Sequence, residues 1–216
     1  MTFDPRLYLV TGPVPLTGVL EDVVAQALAG GVTAVQLRDK AADRDCLARQ
    51  TRALAIIARS NGAALLVNDD LVAAAMADGA HVGVSDARPQ QVRAELGKTA
   101  LIGWSINSLS QFDDAEALGA SDYVAVSPVW ATPSKSDTTE PLGLEGVRAV
   151  RARTPVGIPV VAIGGISAAN AAGVIAAGAD GIAVMSAICS ADNPYAAALE
   201  LREIVDAALS VRGQSR

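Results

Sequence analysis

The sequence predicts an α/β fold in which eight strand–helix units close into one barrel, and three observations predict it. Short apolar runs of strand length alternate with alanine-rich helical segments almost from end to end. The runs are apolar on both faces, which suits a parallel sheet covered by helices. A weak internal repeat, AGGVTAVQL, ADGAHVGV, LGASDYVAV and AGADGIAV, carries in each copy a small residue or glycine that stops a helix, then a turn, then a strand. Eight such units close most naturally into a single-domain (β/α)8 TIM barrel over residues 1–216, with its core at about 7–209. An open doubly wound sheet is the alternative.

The elements follow in chain order. The first strand candidate, Leu7–Gly12, ends at TGPVP, and the absence of a G-x-G-x-x-G there gives a dinucleotide site little support. A helix is expected over Thr17–Ala29, a strand over Ala34–Lys40, and a helix over Asp43–Ser60, where Leu47, Leu54, Ile57 and Ala58 fall near one face. The strand Ala64–Asp70 runs into a helix at Leu71–Ala77, for which Asp69 or Asp70 is a candidate cap. Next come the strand Ala80–Val84 and a helix opened by Pro89 and running to Leu96, with Asp86 as a candidate cap. The strand Ala100–Ile106, the helix Leu109–Leu118, the strand Tyr123–Val129 and the helix Leu144–Ala152 continue the alternation. The strand Pro159–Ile166, the helix Ala168–Ala177 capped by Ser167, the strand Gly181–Ile188 and the helix Pro194–Leu209 complete it.

At 216 residues the length suits one compact barrel. Apolar residues make up 51% and mean hydropathy is +0.33, yet no stretch approaches the ~20 apolar residues of a membrane-spanning helix. The opening MTFDPRLYLV has no cationic segment followed by a long apolar core, so a cytoplasmic protein is expected. Cys46 and Cys189 are too few and too isolated for a disulfide framework or thiolate metal site, and both are expected to be inert. A net charge of −6 and a pI near 4.7 argue against nucleic acid or acidic lipid as partner. Any cations that hold an anion must therefore be local.

In a barrel the chemistry lies at the carboxyl ends of the strands. The second strand ends in QLRDK, residues 36–40. Side chains alternate along a strand, so Gln36, Arg38 and Lys40 share one face while Leu37 and Asp39 share the other. That is either a solvated strand end or half of an anion site. The third strand ends in VNDD, and Asp86 lies just past the fourth; carboxylates on adjacent strand ends beside cations suit Mg²⁺ shared with a diphosphate. Ser105 sits at the end of the fifth strand, and Thr132, Ser134 and Lys135 fall in a long polar loop after the sixth. Gly164 and Gly165 after the seventh strand, with VMSAI at the end of the eighth, point to phosphate held by backbone N–H groups and a helix N-terminus. His81 is the sole histidine and lies within the fourth strand, where a structural role is expected. No Ser-His-Asp, Cys-His or histidine-rich zinc set can be assembled, so the chemistry should depend on phosphate electrostatics.

The ordered series QLRDK, VNDD, GAHVGVSD, GWS, SPVWATPSK followed by PLGLEG, AIGGI and VMSAI resembles the thiamine-phosphate synthases, over about Leu7–Ala208. The resemblance implies a (β/α)8 barrel that joins 4-amino-2-methyl-5-pyrimidinylmethyl diphosphate to 4-methyl-5-(2-phosphoethyl)thiazole, releasing pyrophosphate and thiamine phosphate. It implies that QLRDK (Gln36, Leu37, Arg38, Asp39 and Lys40) with Asn68, Ser105 and Lys135 holds the pyrimidine diphosphate. It implies further that Asp69 and Asp86 bind Mg²⁺, and that Thr132, Pro133, Ser134, Gly165, Met185 and Ser186 hold the thiazole phosphate. Arg38, Lys40, Lys135 and Ser105 would serve catalysis of a dissociative reaction that needs no strong base. Small molecules are then the partners, with no nucleic acid and no membrane; a homo-oligomer is compatible with the chain.

The sequence departs from the family's usual pattern at several places. Val84 and Ser85 precede Asp86 where glutamine and an acidic residue are usual, and Asn107 stands in the place of a histidine. Trp130 and Ala131 replace a common Phe-Pro, and Ser134 replaces a common threonine. Three rivals are a thiazole tautomerase on the same barrel, a generic phosphate-binding barrel such as a sugar-phosphate epimerase, and a silent ligand sensor. The first uses a histidine where Asn107 stands; the second does not need Asp69 and Asp86 together with Lys135.

Overall fold

In the computed structural model, which describes residues 3–12, 16, 18–132 and 140–214, the apolar runs pair in parallel in sequence order. The strands are β1 (Leu7–Val10), β2 (Ala34–Leu37), β3 (Ala64–Asn68), β4 (Gly79–Val82), β5 (Leu101–Ile106), β6 (Tyr123–Val126), β7 (Val160–Ile163) and β8 (Gly181–Val184). The sheet closes where Leu7 of β1 pairs with Ile182 of β8, so it is a barrel and the open doubly wound alternative falls away.

Period-two alternation divides the apolar residues into two cores. Tyr8, Val10, Ala34, Leu66, Tyr123, Ala125 and Val161 gather with Phe3 inside the barrel. Leu7, Leu9, Val35, Leu37, Leu65 and Val67 face the helices instead. Those helices are α1 (Leu20–Ala29), α2 (Arg44–Ser60), α3 (Leu71–Ala74), α4 (Pro89–Leu96), α5 (Ala115–Ala120), α6 (Gly143–Arg153), α7 (Ala171–Ala176), α8 (Ser186–Cys189) and α9 (Pro194–Gln214). Helix α9 packs on both α1 and α7, covering the closure of the barrel.

Several boundaries differ from the sequence expectation, each for a local reason. The eighth strand is expected to continue to Ile188, but the chain turns at Met185 and forms α8. The helix expected over Leu109–Leu118 is a 3₁₀ turn, Leu109–Asp113, followed by α5, because Asp114 accepts the Ala117 N–H and starts a new helix. Ser167 does not cap α7 through its side chain; its N–H donates to Asn170 Oδ1 and α7 begins at Ala171. Asp86 is not the cap of α4 either: Arg88 holds that position, its N–H donating to Gln91 Oε1 at 2.9 Å.

The lower, amino-terminal rim carries a recurring clamp. The residue just before each even strand accepts, through its side chain, the N–H of the first or second residue of the preceding odd strand. Thr33 Oγ1 accepts from Leu7, Asp78 from Leu65, Asp122 from Ile102 and Asp180 from Val160, at 2.7–3.1 Å. Two of these aspartates also pair with an arginine: Asp122 with Arg93 of α4 at 2.6 Å, and Asp180 with Arg151 of α6 at 2.9 Å. Asp180 takes a further contact from Arg212 of α9 at 2.7 Å. Replacing Asp180 with alanine strands one strand N–H and removes a carboxylate contact from each of two arginines, so Asp180→Ala should lower unfolding free energy by about 2 kcal/mol. Urea melts check this, with kcat expected to stay within twofold of the parent because the clamp lies opposite the strand ends that carry the site.

Cys46 is partly exposed and Cys189 buried, both free, and burial pushes the Cys189 thiol up to about 11. Among the described residues no helix is long and apolar enough to cross a membrane.

Candidate active site

At the carboxyl ends of the strands the barrel opens into a cavity of about 340 Å³. Residues from the ends of all the strands contribute, so the sequence order of the motifs becomes a ring.

Strand β2 delivers the first set. Gln36 is buried inside, and beyond the last ladder residue the chain continues so that Arg38 and Lys40 also face the cavity. The Arg38 N–H donates to Thr11 Oγ1 at 2.9 Å, which ties this segment to the end of β1. Arg38 Nη1 is buried and has no hydrogen-bond partner among the described residues. Leu37 and Asp39 do not line the cavity, a correction to their place among the expected contacts. Leu37 points outward into the helix-facing core, and the Asp39 carboxylate accepts N–H bonds from Ala41 and Ala42 at 3.1 Å and from Gln50 at 3.3 Å. The cause is the alternation itself.

The VNDD motif splits its carboxylates between two roles. Asp70 caps α3, its Oδ1 accepting the Ala73 N–H at 2.8 Å. Asp69 has φ of +63°, a left-handed conformation uncommon for residues other than glycine, and lines the cavity with Asn68. The Asp69 N–H still reaches His81 O at 3.1 Å, so the strand pairing continues through the strained residue. Burial raises the Asp69 carboxyl to about 6, the hydrogen bond and charge of Asp86 push the same way, and Lys40 and Asn68 oppose them. Asp86 Oδ2 accepts the Gly83 N–H at 2.7 Å, closing a turn that leaves Val84 and Ser85 at the exposed rim.

Asp69 and Asp86 therefore form an under-neutralised carboxylate pair. Asp69 Oδ1 is buried and, among the described residues, has no hydrogen-bond donor. No group of three or more His, Cys, Asp or Glu gathers among those residues, so protein ligands alone would not enclose a cation. Two carboxylates that leave positions for water and phosphate oxygens fit Mg²⁺ well.

Below the cavity mouth runs a buried chain of polar groups. Ser105 Oγ lies 2.9 Å from His81 Nε2, His81 Nδ1 lies 2.9 Å from the Tyr123 hydroxyl, and Tyr123 donates to the Tyr8 hydroxyl at 3.0 Å. Gln36 Nε2 donates to the same Tyr8 oxygen at 3.2 Å. Phe3 stacks on Tyr123 with ring centroids 4.4 Å apart and meets Tyr8 edge-on, plugging the barrel beneath. The sequence expectation assigns His81 a structural role and Tyr8 none, yet both line the cavity. Strand parity carries the signal that would find them, since Tyr8 shares its face with Val10 and His81 pairs in register with Asn68.

The opposite wall comes from β6, β7 and β8. Thr132, Gly165, Met185 and Ser186 line it, whereas Pro133, Ser134 and Lys135 lie outside the described residues. Gly164 and Gly165 have φ of +108° and +66°. A Cβ on Gly164 would sit 2.7 Å from Pro128 Cβ, and one on Gly165 2.9 Å from Trp130 Cβ. Both glycines are thus required by the loop after β6 as well as by their backbone. Gly12, which the sequence does not single out, makes room in a similar way, because a Cβ there would meet Met185 Cε at 2.6 Å and Sδ at 2.8 Å. Asn107 also borders the cavity.

Three comparisons bear on this arrangement. The family model of thiamine monophosphate synthase matches residues 7–188. A thiamine-phosphate synthase of Albidiferax ferrireducens is 48% identical over 206 residues, covering 94% of this chain and 92% of the relative. One from Moorella thermoacetica is 46% identical, covering 85% and 87%. Among solved structures, a thiamine phosphate pyrophosphorylase from Pyrococcus furiosus superposes with a TM-score of 0.84 at 35% identity, covering 95% of this chain and 98% of that one.

Proposed function

Since the chain belongs to the thiamine monophosphate synthase family, we propose that its cavity joins 4-amino-2-methyl-5-pyrimidinylmethyl diphosphate to 4-methyl-5-(2-phosphoethyl)thiazole, yielding thiamine phosphate and pyrophosphate. Thiamine-phosphate synthase activity in thiamine biosynthesis is the function that the family supports. One observation carries the choice of substrates: a guanidinium nitrogen, Arg38 Nη1, and a carboxylate oxygen, Asp69 Oδ1, are both buried in the same cavity without a hydrogen-bond partner among the described residues. Groups of opposite charge left without hydrogen-bond partners in one cavity suit a ligand pair of anion and cation, which a diphosphate with Mg²⁺ supplies.

In this reading Arg38 and Lys40 bind the diphosphate from the β2 side, with Lys135 from the loop after β6. The electron-rich aminopyrimidine expels the diphosphate as its C–O bond breaks, and the thiazole nitrogen captures the resulting pyrimidinylmethyl cation to form the new C–N bond. Cationic side chains fixed where leaving-group charge develops lower the barrier because they need no reorganisation at that moment. Asp69 and Asp86 would hold Mg²⁺, whose chemistry is to neutralise phosphate oxygens. Gln36, Asn68 and Ser105 orient the pyrimidine, while Thr132, Gly165, Met185 and Ser186, with Pro133 and Ser134, receive the thiazole phosphate. The wall formed by β7 and β8 holds the thiazole nitrogen near the reacting carbon, which replaces a bimolecular encounter with a positioned one.

The test is direct. Purified protein incubated with both substrates and Mg²⁺ should release pyrophosphate and thiamine phosphate in equal amounts; absence of product at every enzyme concentration would overturn the reading. A subtler expectation concerns Gly12. The Gly12→Ala methyl displaces the Met185 thioether, a flexible group on the proposed thiazole wall. The variant should raise KM for thiazole phosphate about tenfold, roughly 1.4 kcal/mol of lost binding, with little change for the pyrimidine substrate. Steady-state titration of each substrate separates the two.

A further inference from the structure

The buried polar chain has a direction, and the direction follows from counting hydrogens. Each phenol carries one hydrogen, and burial holds both Tyr8 and Tyr123 protonated by raising their pKa values. Tyr123 donates its hydrogen to Tyr8 at 3.0 Å. Tyr123 then has only lone pairs for His81, so the contact at 2.9 Å requires a hydrogen on Nδ1. A neutral imidazole with Nδ1–H has a bare Nε2, which accepts the Ser105 hydroxyl hydrogen at 2.9 Å. At the other end the Tyr8 oxygen accepts from both Tyr123 and Gln36 Nε2, and its own hydrogen is the surplus donor.

We propose that Tyr123, which does not itself line the cavity, is a positioning residue that sets the His81 tautomer and thereby the hydrogen-bond polarity of the cavity wall. Ser105 Oγ and Gln36 Oε1 face a ligand as acceptors, and the Tyr8 hydroxyl faces it as a donor. This pattern is complementary to a neutral amino-substituted nitrogen heterocycle, whose amino hydrogens need acceptors and whose ring nitrogen needs a donor. It opposes the 4-oxo counterpart, which presents an acceptor where the amino group presents a donor. The ligand class rests on the pyrimidine reading above; the hydrogen pattern does not.

The chain has a single histidine, so ¹⁵N labelling of histidine reads one imidazole without assignment. In ligand-free protein the one-bond N–H coupling should fall on Nδ1. Tyr8→Phe removes the acceptor of the Tyr123 hydroxyl, whose hydrogen turns to His81 and drives the imidazole hydrogen to Nε2. Tyr123→Phe removes the acceptor of Nδ1–H and should also populate the Nε2–H form. Titration with 4-amino-2-methylpyrimidine and with its 4-oxo counterpart, followed by the same signals, should show at least tenfold preference for the amine in the parent, lost in Tyr123→Phe. Hydrogen on Nε2 in the parent, or an unmoved tautomer in both variants, overturns the proposal. Equal affinity for the two pyrimidines in the parent overturns the ligand class. None of these readouts needs turnover, so a parent that makes no thiamine phosphate counts against the proposed function alone.

Discussion

Arg38→Ala should lower kcat/KM by at least about a hundredfold, roughly 2.7 kcal/mol of transition-state stabilisation, while leaving the protein no less stable. The two halves of that expectation have one source. Arg38 Nη1 is buried and has no hydrogen-bond partner among the described residues, so the folded protein carries part of the cost of desolvating a cation without a matching contact. Removing the side chain relieves that cost and deletes the charge that meets the leaving diphosphate. A thermal melt with Tm unchanged or raised, beside a collapsed kcat/KM, is the expected pair. A near-normal rate removes Arg38 from the site, and a large fall in Tm would mean that the rate loss reflects unfolding.

Asp69→Asn should have an effect of similar size, at least about a hundredfold in kcat/KM, and should raise the Mg²⁺ concentration needed for half-maximal rate. It also changes stability in a way that identifies the residue. The Asp69 carboxyl titrates at about 6, above its ordinary 3.8, chiefly through burial and also through Asp86. The folded state therefore holds this proton more tightly than the unfolded chain does. Its stabilising contribution is complete below 3.8 and disappears as pH rises to and through about 6. Metal-free parent protein should lose stability across that window, and Asp69→Asn should flatten the loss. Urea midpoints at a series of pH values measure it, and an unaltered profile in the variant would count against the strained carboxylate as its origin.

The barrel was legible because its signal is periodic and repeated. Each strand has an inner and an outer row of apolar residues, and the parity that turns Leu37 outward also turns Gln36 inward. The ends of the strands were less legible. Val129, Ile166 and Ile188 are as apolar as strand residues, yet they lie beyond β6, β7 and β8 and are buried by loops and α8. Hydrophobicity alone cannot tell burial by a sheet from burial by a turn.

The site divides in the same way. Gln36, Arg38, Lys40 and Asn68 could be placed by strand order, and they meet in the cavity. Which aspartate of VNDD caps the helix and which enters the cavity depends on the positive φ of Asp69, a backbone choice that no neighbouring residue type announces. Gly12 was hidden for a different reason. Its lack of a side chain matters only because Met185, far along the chain, occupies the space.

The clamps on the lower rim bear on how such a chain can change over time. Strands of only four residues, such as β1 and β6, span about 13 Å, and the Phe3, Tyr8 and Tyr123 rings fill the interior between their ends. The side-chain clamps of Thr33, Asp78, Asp122 and Asp180 thus lie at one end of the barrel, and the segments that line the cavity at the other. An ancestor adapting to a warmer habitat could remodel the first without disturbing the second.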